Sequence, residues 1–143
     1  MSLEWPVKFV LYGDPKTKKN SQQIAYYRGK PFIMQGGKYT AYANDILWQI
    51  RFHEEPISEP VNVKVVYYRN SKRRVDLGNL LAATCDILID GGVLKDDNRD
   101  IVASHDGSRV YYDKENPRAE ITITPCMDSN YQVWSKINKK GGA

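Results

Sequence analysis

The sequence predicts an α+β domain built on one mixed β-sheet, with helices packed mainly on one face. Three observations lead there. Residues 61–69 alternate Val61, Val63, Val65 and Tyr67 with Asn62, Lys64, Val66 and Tyr68, the period of a half-buried strand. Two stretches, around 38–52 and 77–90, carry apolar residues at helical spacing. Strand-forming segments surround them in the order strand, hairpin, helix, strand, helix, strand, strand. A length of 143 residues fits one core, read as a domain over 1–126 followed by a basic tail over 127–143.

Val7 to Tyr12 is the first strand, stopped by Gly13-Asp14-Pro15. The next loop, Lys16-Thr17-Lys18-Lys19-Asn20-Ser21, is basic and rich in side-chain donors. It reads either as a solvated loop or as a phosphate clamp carried by Lys18 and Lys19. Ile24–Tyr27 and Pro31–Met34 flank Arg28-Gly29-Lys30 as a β-hairpin with a basic tip. Its aromatics, Tyr26, Tyr27 and Phe32, suit cross-strand packing first and stacking on unpaired bases second. Tyr39, Tyr42, Ala43, Ile46, Leu47 and Ile50 mark a helix from Lys38 to about Phe52. Trp48 and Phe52 fall off that stripe; they are assigned to a widened core face ahead of a dimer contact. His53 belongs to the surface.

The strand over 61–69 leads straight into Asn70-Ser71-Lys72-Arg73-Arg74 and then Asp76. In the helix that follows, Leu77, Leu80, Leu81, Thr84, Cys85 and Leu88 form one apolar stripe, while Asn79, Ala83, Asp86 and Asp90 fall opposite. Gly91-Gly92 ends the helix, and Asp96-Asp97 follows in a turn. Asp76, Asp86 and the Asp96-Asp97 turn are expected to converge into one carboxylate pocket, with Asp90 left as a surface residue. Carboxylates held together repel, so such a cluster calls for a cation, and hard oxygen donors without Cys or His suit Mg²⁺ or Mn²⁺. A metal between carboxylates, with Lys72, Arg73 and Arg74 gripping phosphate beside it, is equipment for phosphodiester attack. The other reading of the same aspartates is a solvated helix face, a helix cap and a polar turn.

Residues 100–112 are strand-like, with Gly107 marking a bulge or a close backbone approach. Ser104-His105-Asp106 invites a hydrolase-triad reading, but neighbouring strand residues point to opposite faces. Asp113–Pro117 is a turn, and Arg118 to Thr124 is the last strand.

The ordered set Asp76-Leu77-Gly78-Asn79-Leu80, Asp86-Ile87-Leu88 and Gly92-Val93-Leu94-Lys95-Asp96-Asp97 resembles the RusA-type Holliday-junction resolvases. Their pattern runs Asp-x-Asp-Asn-Leu-x-Lys, then Asp-Ala-Leu, then an Asp-Asp pair. The likeness extends from the Gly-x-Pro-x-x-Lys-Lys-Asn loop to the last strand. Two positions depart: Gly78 stands where a second aspartate is usual, and Ala82 where a catalytic lysine is common. Phage-type relatives look to share the Asp-Leu-x-Asn form. The resemblance implies a homodimeric, Mg²⁺-dependent endonuclease that cuts branched DNA by paired nicks, without a nucleotide cofactor. It implies Asp76 and Asp97 as metal ligands, Asp86 as a further ligand or water-orienting group, and Asn79 orienting a carboxylate or phosphate. Two alternatives remain: a catalytically impaired junction-binding relative, and a module whose acidic face binds protein.

Lysine plus arginine exceed aspartate plus glutamate by 21 to 17, a net +4 with the acids gathered mid-chain. That asymmetry suits a polyanion beside a metal pocket. The two cysteines, Cys85 and Cys126, are not in metal-ligand spacing and are expected as free thiols in a reducing cytoplasm. No apolar run approaches the ~18 residues of a membrane span, and the start of the chain lacks a signal-peptide pattern.

Overall fold

The structure is a computed structural model that describes residues 3–18, 22–35 and 37–126. The central strand is β4 (Val61–Arg69), whose inward side chains Val61, Val63, Val65 and Tyr67 are all fully buried. On one side it pairs antiparallel with β7 (Arg118–Pro125), which in turn pairs antiparallel with β1 (Val7–Tyr12). The alternation seen in the sequence is therefore the alternation of a sheet with one covered face: Ala119, Ile121 and Ile123 of β7 join the same core.

The other side of β4 carries a correction. The strand-like run over 100–112 is two short strands, β5 (Val102–Ser104) and β6 (Arg109–Tyr112), both parallel to β4 and sharing its edge. The break between them is filled by side chains. Ser108 Oγ accepts from Val65 N at 3.0 Å, and His105 Nδ1 donates to the Val63 carbonyl at 2.8 Å. Asn62 Oδ1 accepts from Asp106 N at 2.7 Å. Backbone groups that a continuous strand would have paired are thus satisfied. The Ser104–Ser108 island completes a sheet edge, which accounts for its polarity without a catalytic triad. Gly107 takes φ +87° here, and a Cβ on it would meet Lys64 Cδ at 3.2 Å, the close approach expected.

Two helices cover the inner face of the sheet. Helix α1 (Gly37–Gln49) buries Tyr39 and Ile46, and α2 (Leu77–Asp90) buries Leu80, Leu81, Ala83, Thr84, Cys85, Ile87 and Leu88. Ala83 was expected on the polar side; it is buried because α2 is covered from two directions, by the sheet and by α1. Only Gly78, Ala82 and Asp90, with Asp86 half exposed, form its open stripe. Tyr67 fastens sheet to helix: its hydroxyl lies 2.6 Å from Thr84 Oγ1, and Thr84 donates to the Leu80 carbonyl at 2.9 Å. Burying each Val or Leu of this layer contributes roughly 1.5–3 kcal/mol.

Phe52 packs at the core margin, edge-on to Phe9 at 6.4 Å. Trp48 does not: it is 79% exposed. Two residues beyond Ile46 is about 200° around the helix, so the residue points away from the face that Ile46 buries. The hairpin forms as expected, β2 (Gln22–Tyr27) against β3 (Lys30–Gln35), with Arg28 and Gly29 both at positive φ in its two-residue turn. It is a separate two-stranded sheet, and its large apolar side chains stay exposed. The cross-strand register is there; the burial is not. Lys19 and the tail over 127–143 lie outside the described residues.

Candidate active site

Strand β4 delivers the chain to the start of α2 through the basic loop, and three separate elements hold that loop. Asp14 Oδ1, just after β1, accepts from Asn70 N at 2.8 Å. Arg69 Nη1 donates to the Arg73 carbonyl at 2.9 Å, and the Arg69 carbonyl accepts from Asp113 N at 2.8 Å. Lys72 Nζ lies 5.1 Å from the Tyr112 ring centroid. Among the described residues, Arg69 Nε is the one buried side-chain polar atom without a hydrogen-bond partner. The loop is therefore anchored largely through its backbone, while Lys72, Arg73 and Arg74 remain exposed.

Asp76 closes the loop and opens the helix. It is the N-cap of α2, with φ −85° and ψ 117°, its carbonyl accepting from Leu80 N at 3.1 Å and its Oδ1 from Asn79 N at 3.2 Å. A carboxylate here also complements the positive end of the helix dipole. Asp76 is nonetheless exposed, so capping does not consume it. A Cβ on Gly78 would sit 3.1 Å from Asp76 Oδ1. Position 78, one of the two departures from the resolvase pattern, thus adjoins the carboxylate it would have assisted.

Asp86 lies ten residues further along α2, about 15 Å of helix axis at 1.5 Å per residue. Lys18 reaches it from the loop after β1, Nζ to Oδ2 at 2.7 Å. The same ammonium is 5.9 Å from the Tyr39 ring centroid. The hydrogen bond to Asp86 raises the Lys18 pKa despite partial desolvation, with the fields of Asp86, Tyr39 and Asp90 adding to it. Burial raises the Tyr39 phenol, opposed by Lys18 and assisted by Asp86 and Asp90. Tyr39 and Asp90 therefore belong to this neighbourhood, which sequence reasoning missed; the i, i+4 spacing of Asp86 and Asp90 was the available signal.

Asp97 sits in the exposed turn after α2, its backbone N donating to Asp96 Oδ1 at 2.7 Å. Asp96 Oδ2 accepts from Asn98 Nδ2 at 3.3 Å, so Asp96 shapes the turn and Asp97 is presented by it. Burial, with the charges of Asp97 and then Asp86 adding to it, raises the nearby Cys85 thiol to about 12. Such a thiol stays protonated at neutral pH.

The expected single pocket is not what the chain builds. Asp76 stands at one end of α2 and Asp86 well along it, and among the described residues no three His, Cys, Asp or Glu side chains come together as a metal cage. The donors still fit a hard divalent cation, because Mg²⁺ is commonly held by one or two carboxylates plus substrate phosphate and water.

The model of the endodeoxyribonuclease RusA family matches residues 12–124, most of the chain and every site residue named above. The chain belongs to the RusA endodeoxyribonuclease family. RusA proteins are hydrolases of DNA phosphodiesters that act on branched DNA, and the resemblance drawn from the Asp76–Asp97 motifs is borne out by that match. No curated protein matches the chain. No helix among the described residues is long and apolar enough to cross a membrane.

Proposed function

We propose that this RusA-family chain is a Mg²⁺-dependent, structure-selective endonuclease that resolves four-way junctions by paired nicks, acting as a homodimer. The observation that carries the reading is the family match over 12–124 together with an anchored basic loop leading directly into exposed Asp76. Lys72, Arg73 and Arg74, with Lys18 and Lys19, grip the phosphate backbone and set its register without reading sequence. Asp76 and Asp97 would hold the metal. Asp86, about 15 Å along the helix axis from Asp76, cannot share an ion with it and would serve only on the Asp97 side, as a further ligand or in orienting water. Asn79 would orient a carboxylate or a phosphate oxygen. When bound, Mg²⁺ (or Mn²⁺) lowers the pKa of its water and neutralises charge on the phosphate. Two cuts in opposed strands call for two such sites related by a two-fold axis, which a homodimer supplies.

The test is purified protein on a four-way junction and on the matching linear duplex, with Mg²⁺, with Mn²⁺ and with chelator. Symmetric nicks should appear in the junction only with metal; metal-independent nicks, or none, overturn the nuclease reading.

One observation favours a second reading, a junction-binding protein that no longer cuts. Gly78 leaves the space beside Asp76 Oδ1 without a second carboxylate. If the chain is a working nuclease, Gly78→Asp changes the nicking rate only modestly. If that substitution switches on nicking in a protein that has none, the binding-protein reading holds.

A further inference from the structure

The β2–β3 hairpin is the part of the molecule that the cleavage reading leaves unused. A two-stranded ribbon is marginal on its own in water and normally buries one face. This one pairs only with itself, and apolar residues lie on both of its faces. Residues opposite each other in an antiparallel pair share a face. Ile24 with Ile33, and Tyr26 with Pro31, therefore form one side, while Tyr27 and Phe32 lie on the other. Tyr26 is 71% exposed, Ile33 71%, Tyr27 66% and Phe32 44%.

Three further facts indicate what occupies this ribbon. The segment 22–35 contains no acidic residue, and Arg28 in its turn is followed by Lys30 at the start of β3. The Arg28 guanidinium lies 5.4 Å from the Tyr27 ring centroid, so charge and aromatic surface are presented together. The hairpin is also bracketed in the chain by Lys18 and Tyr39, which come together beside Asp86, so it rises from the candidate active site. Six residues per strand give a reach of about 20 Å. A surface that is aromatic and aliphatic, edged by cations and free of carboxylates complements bases exposed between two phosphate backbones. Aromatic platforms stack on unpaired bases, and Phe, Ile, Met and Pro wedges open base steps.

We propose that the β2–β3 hairpin is a wedge that enters the branch point of the DNA and stacks on its unpaired bases. It sets the preference for junction over duplex, while the basic loop supplies charge. This inference rests on the nuclease reading above, extending it to how the branch is recognised.

The test places 2-aminopurine beside the branch of a four-way junction, in chelator so that no strand is cut. Wild-type protein is compared with the triple variant Tyr26→Ser, Tyr27→Ser, Phe32→Ser. All three positions lie in the exposed ribbon, so the fold is expected to survive, and circular dichroism checks it. Wild-type binding should raise the fluorescence as the base unstacks. The variant should lose that rise, and its junction-over-duplex preference should fall on the order of tenfold or more, with the salt dependence of binding unchanged. A rise that persists in the variant, or a wild type that nicks junctions without any rise, overturns the wedge and leaves the nuclease reading intact. A wild type that neither binds nor nicks junctions overturns both. A variant that is monomeric where wild type sediments as a dimer makes the hairpin an interface between copies, which also overturns the proposal.

Discussion

Lys18 Nζ stands 2.7 Å from Asp86 Oδ2, tying the loop after β1 to the middle of α2. Both side chains are substantially exposed, at 47% and 39%. Screening therefore limits the pair to at most about 1 kcal/mol of stability. The folded-state lysine pKa is raised above its ordinary 10.5. The contribution is thus complete below that value and is lost as pH rises through the higher folded one. Lys18→Met should lower stability by under ~1 kcal/mol at neutral pH, and the gap to wild type should close above about pH 10.5, in denaturant titrations across pH. A gap that widens with pH would assign the wrong sign to this pair.

Tyr67 and Thr84 join the centre of the sheet to α2 through a buried hydrogen bond of 2.6 Å. Burial holds the phenol well above its ordinary pKa, so it is neutral at any working pH. Tyr67→Phe keeps the ring and leaves Thr84 its bond to Leu80. It should cost about 1–2 kcal/mol by chemical denaturation, at the scale of one buried polar group losing its partner. A neutral substitution would mean that the hydroxyl contributes nothing to the sheet–helix contact.

Replacing Lys72, Arg73 and Arg74 together by Ala leaves the main-chain anchors of the loop in place, since Asn70 N and the Arg73 carbonyl make them. Junction binding should weaken, and the slope of log K against log salt should flatten by about 0.9 for each phosphate contact removed. An unchanged slope would show that the three side chains do not face DNA.

Much of the fold was legible because each period met one environment. Residues 61–69 alternate along the central strand, and β1 runs over the Val7–Tyr12 stretch the sequence marks out. Misreadings occurred where a local pattern met a neighbour the sequence does not show. Ala83 lies across the wheel from the apolar stripe yet is buried, because α2 is covered from two directions. The run over 100–112 splits because His105 and Ser108 side chains take the place of ladder bonds. The layout of the candidate site was not legible. Asp76, a candidate site residue, also caps α2, and the Lys18–Asp86 contact spans 68 positions that no local spacing connects.

The most direct test of the central claim is nicking and binding by Asp76→Asn on a four-way junction. Asparagine caps helices about as well as aspartate, so α2 should be preserved while the charge is removed. Mg²⁺-dependent nicking should fall on the order of 10²-fold or more, with junction affinity unchanged or tighter because a negative charge near phosphate has gone. Nicking at near wild-type rate by a folded Asp76→Asn protein would contradict that claim.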